Sequence, residues 1–265
     1  MLERLDFSGL TLNHMARVAK AAWNSTVRAA ALAIAKDRAD ARATAGRPCW
    51  KGPTMPMLFF DCTTAPNPRR VRMIIAEKRL EIETRELSIA NGEQLSPDFL
   101  AINPRGTLPV LVTEAGQALS ETVAIASYLE DLHPEPSLMG QGAEEKAAVL
   151  NWNAVIEQQG GQAIFDAFRN SHPAMKGRAI PGPADYAQIP DLAERSRQRV
   201  NAFFELLEAR LQQSPFIATN RFTLADISCF VMVEFARVIK MRIPQGNPAT
   251  LAWYEHICER PSASV

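Results

Sequence analysis

The first residues that can do chemistry form a cluster of hydroxyl and amide side chains at positions 63–68, where the chain reads TTAPNP. Prolines are tolerated in the first turn of a helix, where backbone N–H groups lack partners. Hydroxyl and amide donors at a helix N-terminus make a site for an anion, and a thiolate is such an anion. Because Thr and Asn are also preferred helix caps, simple N-capping is the alternative interpretation.

The second group surrounds a proline at the start of an apolar run, in the stretch NPRGTLPV at 103–110. A proline that opens a strand is usually an edge or entry residue. A cis peptide bond is the alternative, since cis prolines mark tight turns. A cis bond at Pro109 would turn the backbone of Leu108 outward and leave its N–H and C=O free to pair with a peptide ligand.

The third group is an acid followed by a hydroxyl residue, Glu121 and Thr122, at the start of a helical pattern. This pair can hold a zwitterion. Glu121 would accept hydrogen bonds from the ammonium group, while the N–H and hydroxyl of Thr122 would donate to the carboxylate. Capping of the helix, with an acid in its first turn, is the alternative interpretation.

The elements that must position these groups follow from hydrophobic periodicity. Residues 57–62 (MLFFDC) form an apolar run typical of a buried strand, and residues 69–80 have helical spacing. We then predict a strand at 81–88, a helical turn at 97–101, strands at 108–112 and 117–119 and a helix at 121–132. The resulting order is β-α-β-α-β-β-α.

Every periodic segment after the HPEP sequence at 133–136 is helical. We predict a long helix at 144–170 with a kink site at Gly160 and Gly161, and a proline-rich loop at 173–190. Further helices are predicted at 191–213, 223–239 and 251–258. The helix at 223–239 is apolar nearly all round, which indicates a central buried position.

The order and spacing of these groups resemble the glutathione-binding domain of glutathione transferases. The matching features are the strand, the hydroxyl and amide loop, the helix, the motif GTLPVL and the motif SETVAIASYL. A fourth match is FTLADI at 222–227, where Thr223 and Asp226 have capping-box spacing. The resemblance covers about residues 57–260. It implies an α/β thioredoxin-like domain at 55–138 and an all-α domain at 139–265.

The resemblance also implies the roles of individual residues toward glutathione. Leu108, before the cis proline Pro109, would pair with the cysteinyl backbone, and Glu121 with Thr122 would hold the γ-glutamyl end. The family usually has Glu-Ser at these two positions, so this chain departs from the pattern but keeps the hydroxyl. Gln94 matches a family position near the glycine end.

The residue that activates the thiol stays open between two candidates. Family classes use Tyr, Ser, Cys or Asn, and the one tyrosine of this domain, Tyr128, lies too late in a helix to serve. Thr64 falls near the serine of the Ser-type classes, and Asn67 matches the asparagine of the Nu-like classes. Thr63 is a weaker third candidate.

Cys62 offers a competing chemistry, because cysteine-type relatives reduce disulfides. It closes the apolar run and precedes the expected loop position, so we interpret it as a buried structural thiol. We expect Arg69, Arg70 and Arg72 to be solvated or interface residues rather than ligands of glutathione.

The expected function is glutathione conjugation to small hydrophobic electrophiles, a detoxification reaction. The alternatives are a glutathione-dependent disulfide reductase or peroxidase that uses Cys62, and a non-catalytic glutathione-binding regulatory protein. Candidates for the electrophile pocket are Phe165, Phe168, His172 and Met175. A homodimer is expected from the resemblance alone.

Composition excludes several other classes of protein. Lys plus Arg and Asp plus Glu both number 29, so there is no net charge to attract nucleic acid or a membrane surface. No apolar run is long enough to span a bilayer. The four cysteines form no CxxC pair or zinc-ligand pattern, which favours buried thiols in the reducing cytoplasm and no metal.

Residues 1–54 form an N-terminal extension with nine Lys or Arg and four Asp or Glu. Three interpretations stand: a non-native start, a loosely held amphipathic helix with a disordered tail, or a targeting peptide. Such peptides are rich in Arg and often in Ser, but they rarely carry this many acids.

Overall fold

The computed structural model describes residues 56–265, so the predicted extension at 1–54 lies outside the described residues. The first half of this range has the predicted order of elements. Its strands are β1 (Leu58–Asp61), β2 (Glu83–Glu86), β3 (Val110–Val112) and β4 (Ala118–Leu119), and its helices are α1 (Pro66–Glu77), α2 (Pro97–Ile102) and α3 (Thr122–Leu132).

The strands form one four-stranded sheet in the order β2-β1-β3-β4. β2 runs parallel to β1, whereas β3 and β4 pair antiparallel with their neighbours. Phe59 and Phe60 point to opposite faces of β1, and both are buried. The sheet is therefore covered on both sides, which explains the continuous apolar run at 57–62.

Several boundaries shift by a few residues from the sequence prediction, and prolines explain two of the shifts. The first helix begins at Pro66 rather than residue 69, because proline is compatible with the first helical turn. The third strand begins at Val110 rather than residue 108, since Leu108–Pro109 is a cis peptide bond and proline has no N–H for the ladder.

The second half is helical, as predicted. Its helices are α4 (Gly142–Val155), α5 (Gln162–Arg169), α6 (Pro190–Leu211), α7 (Leu224–Phe235) and α8 (Pro248–Cys258). The predicted long helix at 144–170 is interrupted by a π-helical segment, Ile156–Gly161, at the expected kink site. The proline-rich stretch between α5 and α6 is a loop with one short 3-10 turn, Pro173–Met175.

α7 is the central helix of this half, with every residue from Leu224 to Val233 buried. Its N-terminus has the predicted capping box, in which the Asp226 carboxylate accepts hydrogen bonds from the N–H and hydroxyl of Thr223. Trp253 of α8 donates to the same carboxylate, and burial raises the pKa of Asp226 to about 6. The cap therefore also joins α7 to α8.

A single hydrophobic cluster runs through both halves, from Phe59 and Ile74 to Phe203 and Phe230. The predicted domain boundary after residue 138 lies in the connection between α3 and α4 and stays a prediction. Within residues 56–265, no helix is both long and apolar enough to cross a membrane.

Candidate active site

The N-terminus of α1 is built to leave one backbone donor without a partner. Pro66 and Pro68 have no N–H, and the Arg69 N–H already bonds to the Ala65 carbonyl. The N–H of Asn67 remains, and no described residue accepts it. Asn67 was predicted in a loop, but it lies in the first helical turn, where the helix dipole favours negative charge.

The side chain of Asn67 is oriented by Arg70, one turn further along α1. Arg70 Nη1 donates to Asn67 Oδ1 at 3.5 Å, which leaves the amide Nδ2 of Asn67 free to donate to a ligand. Asn67 lines both cavities described below. The site can therefore offer an anion a backbone N–H and a side-chain amide from the same residue.

Arg70 lies between the two halves of the chain, which is the interface alternative among the two positions expected for the arginines of α1. Its side chain is 3% exposed and bonds to Glu157 Oε1 at 2.7 Å. It also donates to Ser228 Oγ at 2.7 Å and to Asn153 Oδ1 at 3.1 Å, which brings α4, the π segment and α7 to the site. Burial lowers the pKa of Arg70, and the Glu157 carboxylate opposes that effect.

The two threonines proposed as candidates, Thr64 and Thr63, have different surroundings in the structure. Thr64 lines the larger cavity, and its hydroxyl is 3.4 Å from the sulfur of Cys62. Thr63 bonds instead to Glu86, through both its N–H and its hydroxyl, and lines neither cavity. Cys62 is 2% exposed, packs in the hydrophobic cluster around Phe60 and also lines neither cavity.

Two cavities meet at the start of α1. The smaller, of about 230 Å³, is polar, and the larger, of about 930 Å³, is mainly apolar. They share the walls formed by Asn67, Thr107, Leu108, Gln162 and Phe165. A ligand with a polar end and a central thiol can therefore place its sulfur beside Asn67 and next to the apolar space.

The backbone of Leu108 lies at this junction, before the cis peptide bond to Pro109 that the sequence raised as one alternative. No described residue forms a backbone hydrogen bond with its N–H or C=O. These groups are thus available to an extended peptide ligand, which is the pairing that the sequence predicts.

Glu121 and Thr122 lie together in the wall of the smaller cavity, at the N-terminus of α3. Thr122 is buried, whereas Glu121 is exposed and forms an ion pair with Arg105 at 2.7 Å. Such exposed pairs contribute only about 0–1 kcal/mol, so a ligand ammonium can compete for the carboxylate. Arg105 was not singled out from the sequence.

Gln94 lies in the larger cavity, in the wall formed by residues before α2. It is 5% exposed, and its Oε1 has no hydrogen-bond partner among the described residues. A buried polar atom without a partner is costly, so this oxygen fits a site that a polar ligand completes.

Three of the four predicted pocket residues, Phe165, Phe168 and Met175, line the larger cavity. His172 does not, because its Nδ1 accepts from the Ala174 N–H and its ring packs against Phe168. The long helix and the loop up to Pro190, both expected to line the pocket, also contribute residues that were not named from the sequence: Arg169, Arg178, Ile180, Tyr186 and Ile189. Phe235 and Val238, from further along the chain, lie outside the expected region. The contribution of the loop residues depends on loop packing, for which the sequence offered no periodic signal.

Among the described residues, the other cysteines do not lie in the cavities, and no metal-binding cluster is formed. Cys229 is buried, and burial raises its pKa. Cys258 is exposed, which corrects the expectation that the thiols are buried, and Cys49 lies outside the described residues. No cluster of acidic, histidine or cysteine side chains suited to a metal ion occurs within residues 56–265.

A thioredoxin-like sheet, an all-helical second half and joined polar and apolar cavities beside a cis proline form the architecture that the sequence resemblance implies. Family models agree: the glutathione S-transferase N-terminal domain matches residues 64–132, and the C-terminal domain matches residues 190–256. The chain belongs to the glutathione S-transferase family. Members of this family bind glutathione.

Individual relatives give the same assignment. The chain is 29% identical to glutathione S-transferase 2 of Saccharomyces cerevisiae, over 78% of this chain and 87% of that protein. It is 28% identical to the disulfide-bond oxidoreductase YfcG of Escherichia coli, over 77% and 91% of the two chains. A crystal structure of a glutathione S-transferase domain-containing protein from Marinobacter aquaeolei superposes with a TM-score of 0.72 at 29% identity, covering 78% of this chain and 99% of that one.

Proposed function

We propose that this protein conjugates glutathione to hydrophobic electrophiles. The bound thiol loses its proton to solvent, and the thiolate attacks an electrophilic carbon. A new S–C bond forms as a leaving group such as chloride departs with its bonding electron pair. The observation that carries the proposal is the position of Asn67, whose side-chain amide and unpartnered N–H meet where the polar cavity joins the apolar one.

The energy required is of the size that this geometry supplies. Free thiols have a pKa of about 8.5, and lowering it by about two units requires roughly 2.7 kcal/mol. A hydrogen bond to a charged group contributes about 1.5–3 kcal/mol. A helix N-terminus adds about 0.3–1 kcal/mol. Holding both reactants in adjoining cavities supplies proximity as well.

The other residues would hold the peptide. In this proposal Leu108 pairs through its backbone with the cysteinyl unit, and the cis bond to Pro109 keeps that backbone turned outward. Glu121 and Thr122 bind the γ-glutamyl end, while Gln94 binds near the glycine end. Support comes from their positions in the cavity walls and from the unpartnered oxygen of Gln94.

The test is a pH titration of the ultraviolet thiolate absorbance of glutathione bound to the full-length protein and to Asn67→Ala and Thr64→Ala variants. We expect a bound thiol pKa clearly below that of free glutathione. Asn67→Ala should raise that pKa toward the free value and lower kcat/KM for an aryl halide by about 100-fold, the usual loss for one donor to developing charge.

Thr64→Ala is the matched control, since Thr64 lines the same cavity and its hydroxyl already contacts Cys62. If Thr64→Ala raises the thiol pKa and Asn67→Ala does not, Thr64 is the activating residue. Binding of glutathione without any thiolate band would overturn conjugation and favour a non-catalytic binding protein.

A second candidate is reduction of mixed disulfides, favoured by the similarity to a disulfide-bond oxidoreductase. The thiolate of bound glutathione would attack the glutathionyl sulfur of the mixed disulfide, releasing the substrate thiolate and glutathione disulfide. The burial of Cys62 argues against a protein thiol as the nucleophile. A Cys62→Ser variant should retain any such activity, and loss of it would restore the cysteine-based mechanism.

A further inference from the structure

The larger cavity, whose wall is mainly apolar, contains two arginines. Arg169 ends α5, and Arg178 belongs to the loop that follows it. We infer that this pair binds an acidic group, a carboxylate or sulfonate, on the electrophile, so that the preferred substrates are hydrophobic acids. The inference rests on the proposed conjugation function and names its substrate class.

The two guanidinium groups are held in place mainly by backbone carbonyls. Arg169 Nη1 donates to the Arg178 carbonyl at 2.7 Å, and Arg178 Nη2 donates to the Ile89 carbonyl at 3.5 Å. A guanidinium has five N–H donors, so each side chain keeps most of its donors for a ligand. Both side chains are only half-exposed, which limits their access to water.

Neither arginine has a counter-ion among residues 56–265, since no carboxylate lies within ion-pair distance of either. Asp166 lines the same cavity, but its carboxylate accepts from Gln162 at 2.8 Å and lies 3.9 Å from Arg199. Burial lowers the pKa of Arg169, and the nearby charge of Arg178 lowers it further. The wall therefore carries uncompensated positive charge.

An anionic ligand would compensate the positive charge of the two arginines. A partly desolvated cation without a partner is unfavourable, and the planar guanidinium matches a carboxylate through paired hydrogen bonds. The remaining wall, with Phe165, Phe168 and Phe235, accepts an aromatic or aliphatic body. The ligand that fits is an amphiphilic acid whose reactive carbon lies toward Asn67.

The glycine carboxylate of glutathione is a second source of the same chemistry. Arg178 bonds to Ile89, and Ile89 and Gln94 lie in the same wall. Both sources predict an anion at the arginines, so the experiment must separate a carboxylate on the electrophile from the one on the peptide.

The test compares a chlorodinitrobenzoate with its methyl ester, each rate being divided by the uncatalysed rate with glutathione. The full-length protein should have a normalised kcat/KM for the acid about tenfold or more above that for the ester, as expected for a charged hydrogen bond. Arg178→Gln should remove this preference, and Arg178→Lys should keep part of it. Arg242→Gln, an exposed arginine outside both cavities, should keep the wild-type ratio.

Two results would overturn the inference. The first is an equal preference for acid and ester in the unaltered protein. The second is an Arg178→Gln variant that retains the acid preference but no longer discriminates between glutathione and its glycine ethyl ester. That result would mean that Arg178 binds the glycine carboxylate of glutathione rather than the electrophile.

Calorimetric binding of an unreactive dinitrobenzoate and its ester gives the same comparison without turnover. If neither chlorinated compound reacts, the conjugation proposal fails by itself. Calorimetry then decides the anion site separately: preferential, Arg178-dependent binding of the acid supports it, and equal binding of acid and ester overturns it.

Discussion

Asn67 presents two donors to the site because of its neighbours in the sequence. Proline on each side removes the competing N–H groups of the first turn, and Arg70 occupies the carbonyl oxygen of the amide. The helix N-terminus, the amide and a buried guanidinium thus all favour negative charge near one point. No local pattern indicated that Arg70 orients Asn67, because consecutive arginines on a helix point in different directions and their partners lie far away in the sequence.

Removing the charge of Arg70 should raise the pKa of the bound thiol. We expect Arg70→Met to raise it by about one unit, which corresponds to about 1.4 kcal/mol. Arg70→Lys keeps the charge and should raise it less. The measurement is the ultraviolet thiolate titration, with melting temperatures recorded to check folding. A thiol pKa that is unchanged in a folded Arg70→Met variant would exclude this contribution.

The π-helical segment Ile156–Gly161 brings residues of the helical half to the site. It carries Glu157, which pairs with Arg70, and leads into Gln162 and Phe165 of the cavity wall. π segments are rare and often occur at functional sites. Here the segment also brings backbone close to α6, where Phe203 packs directly over Gly160.

Gly160→Ala should therefore destabilise the protein, although alanine favours helices. A Cβ at Gly160 would lie 2.5 Å from the Phe203 ring, and Phe203 is fully buried. We expect a loss of about 1–3 kcal/mol in the free energy of unfolding, as for other overpacked cores.

Gly161→Ala is the matched control, because a Cβ there would lie 3.3 Å from the flexible Met232 side chain. It should cost clearly less in urea unfolding. Equal losses for the two variants would show that the close approach of Phe203 does not matter.

At the scale of the whole molecule, a buried ion pair secures the connection between the two halves. Lys78 at the end of α1 bonds to Glu130 of α3 at 2.7 Å and to the His133 and Pro136 carbonyls. Glu130 also accepts from the N–H groups of Leu138 and Met139. Burial acts to raise the pKa of Glu130, but the hydrogen bonds from Lys78 and the backbone outweigh it and lower the pKa.

Glu130 should make stability depend on pH in the acid range. A lowered pKa in the folded state means that the ionised carboxylate stabilises the protein above its ordinary pKa of 4.5, and that this contribution is lost as the pH falls below that value. Glu130→Gln should cost about 3 kcal/mol at neutral pH, because it breaks a buried pair. The difference from wild type should shrink below about pH 4.5.

Denaturant unfolding as a function of pH checks this prediction. Glu135→Gln is the control, since Glu135 is exposed in the same connection. A loss for Glu130→Gln that does not vary with pH would contradict a role for the charge.

Local patterns in the sequence determined most of the fold. The apolar run MLFFDC, the helical periods and the capping box of Thr223 and Asp226 depend on neighbours within a few residues, so the elements occur in the predicted order with shifts of a few residues at their ends. The order of motifs also indicated the family and predicted that Asn67, Leu108 and Glu121 share one site. These features require no knowledge of distant contacts.

The tertiary structure decided which side chains share a cavity and which charges are buried. Arg70 and Glu157 lie 87 positions apart, and Arg178 reaches the carbonyl of Ile89 across 89 positions. Likewise, only packing showed that Thr63 bonds to Glu86 and that His172 turns away from the cavity. Burial and ion pairing depend on the summed packing of remote segments, and no local pattern encodes that sum.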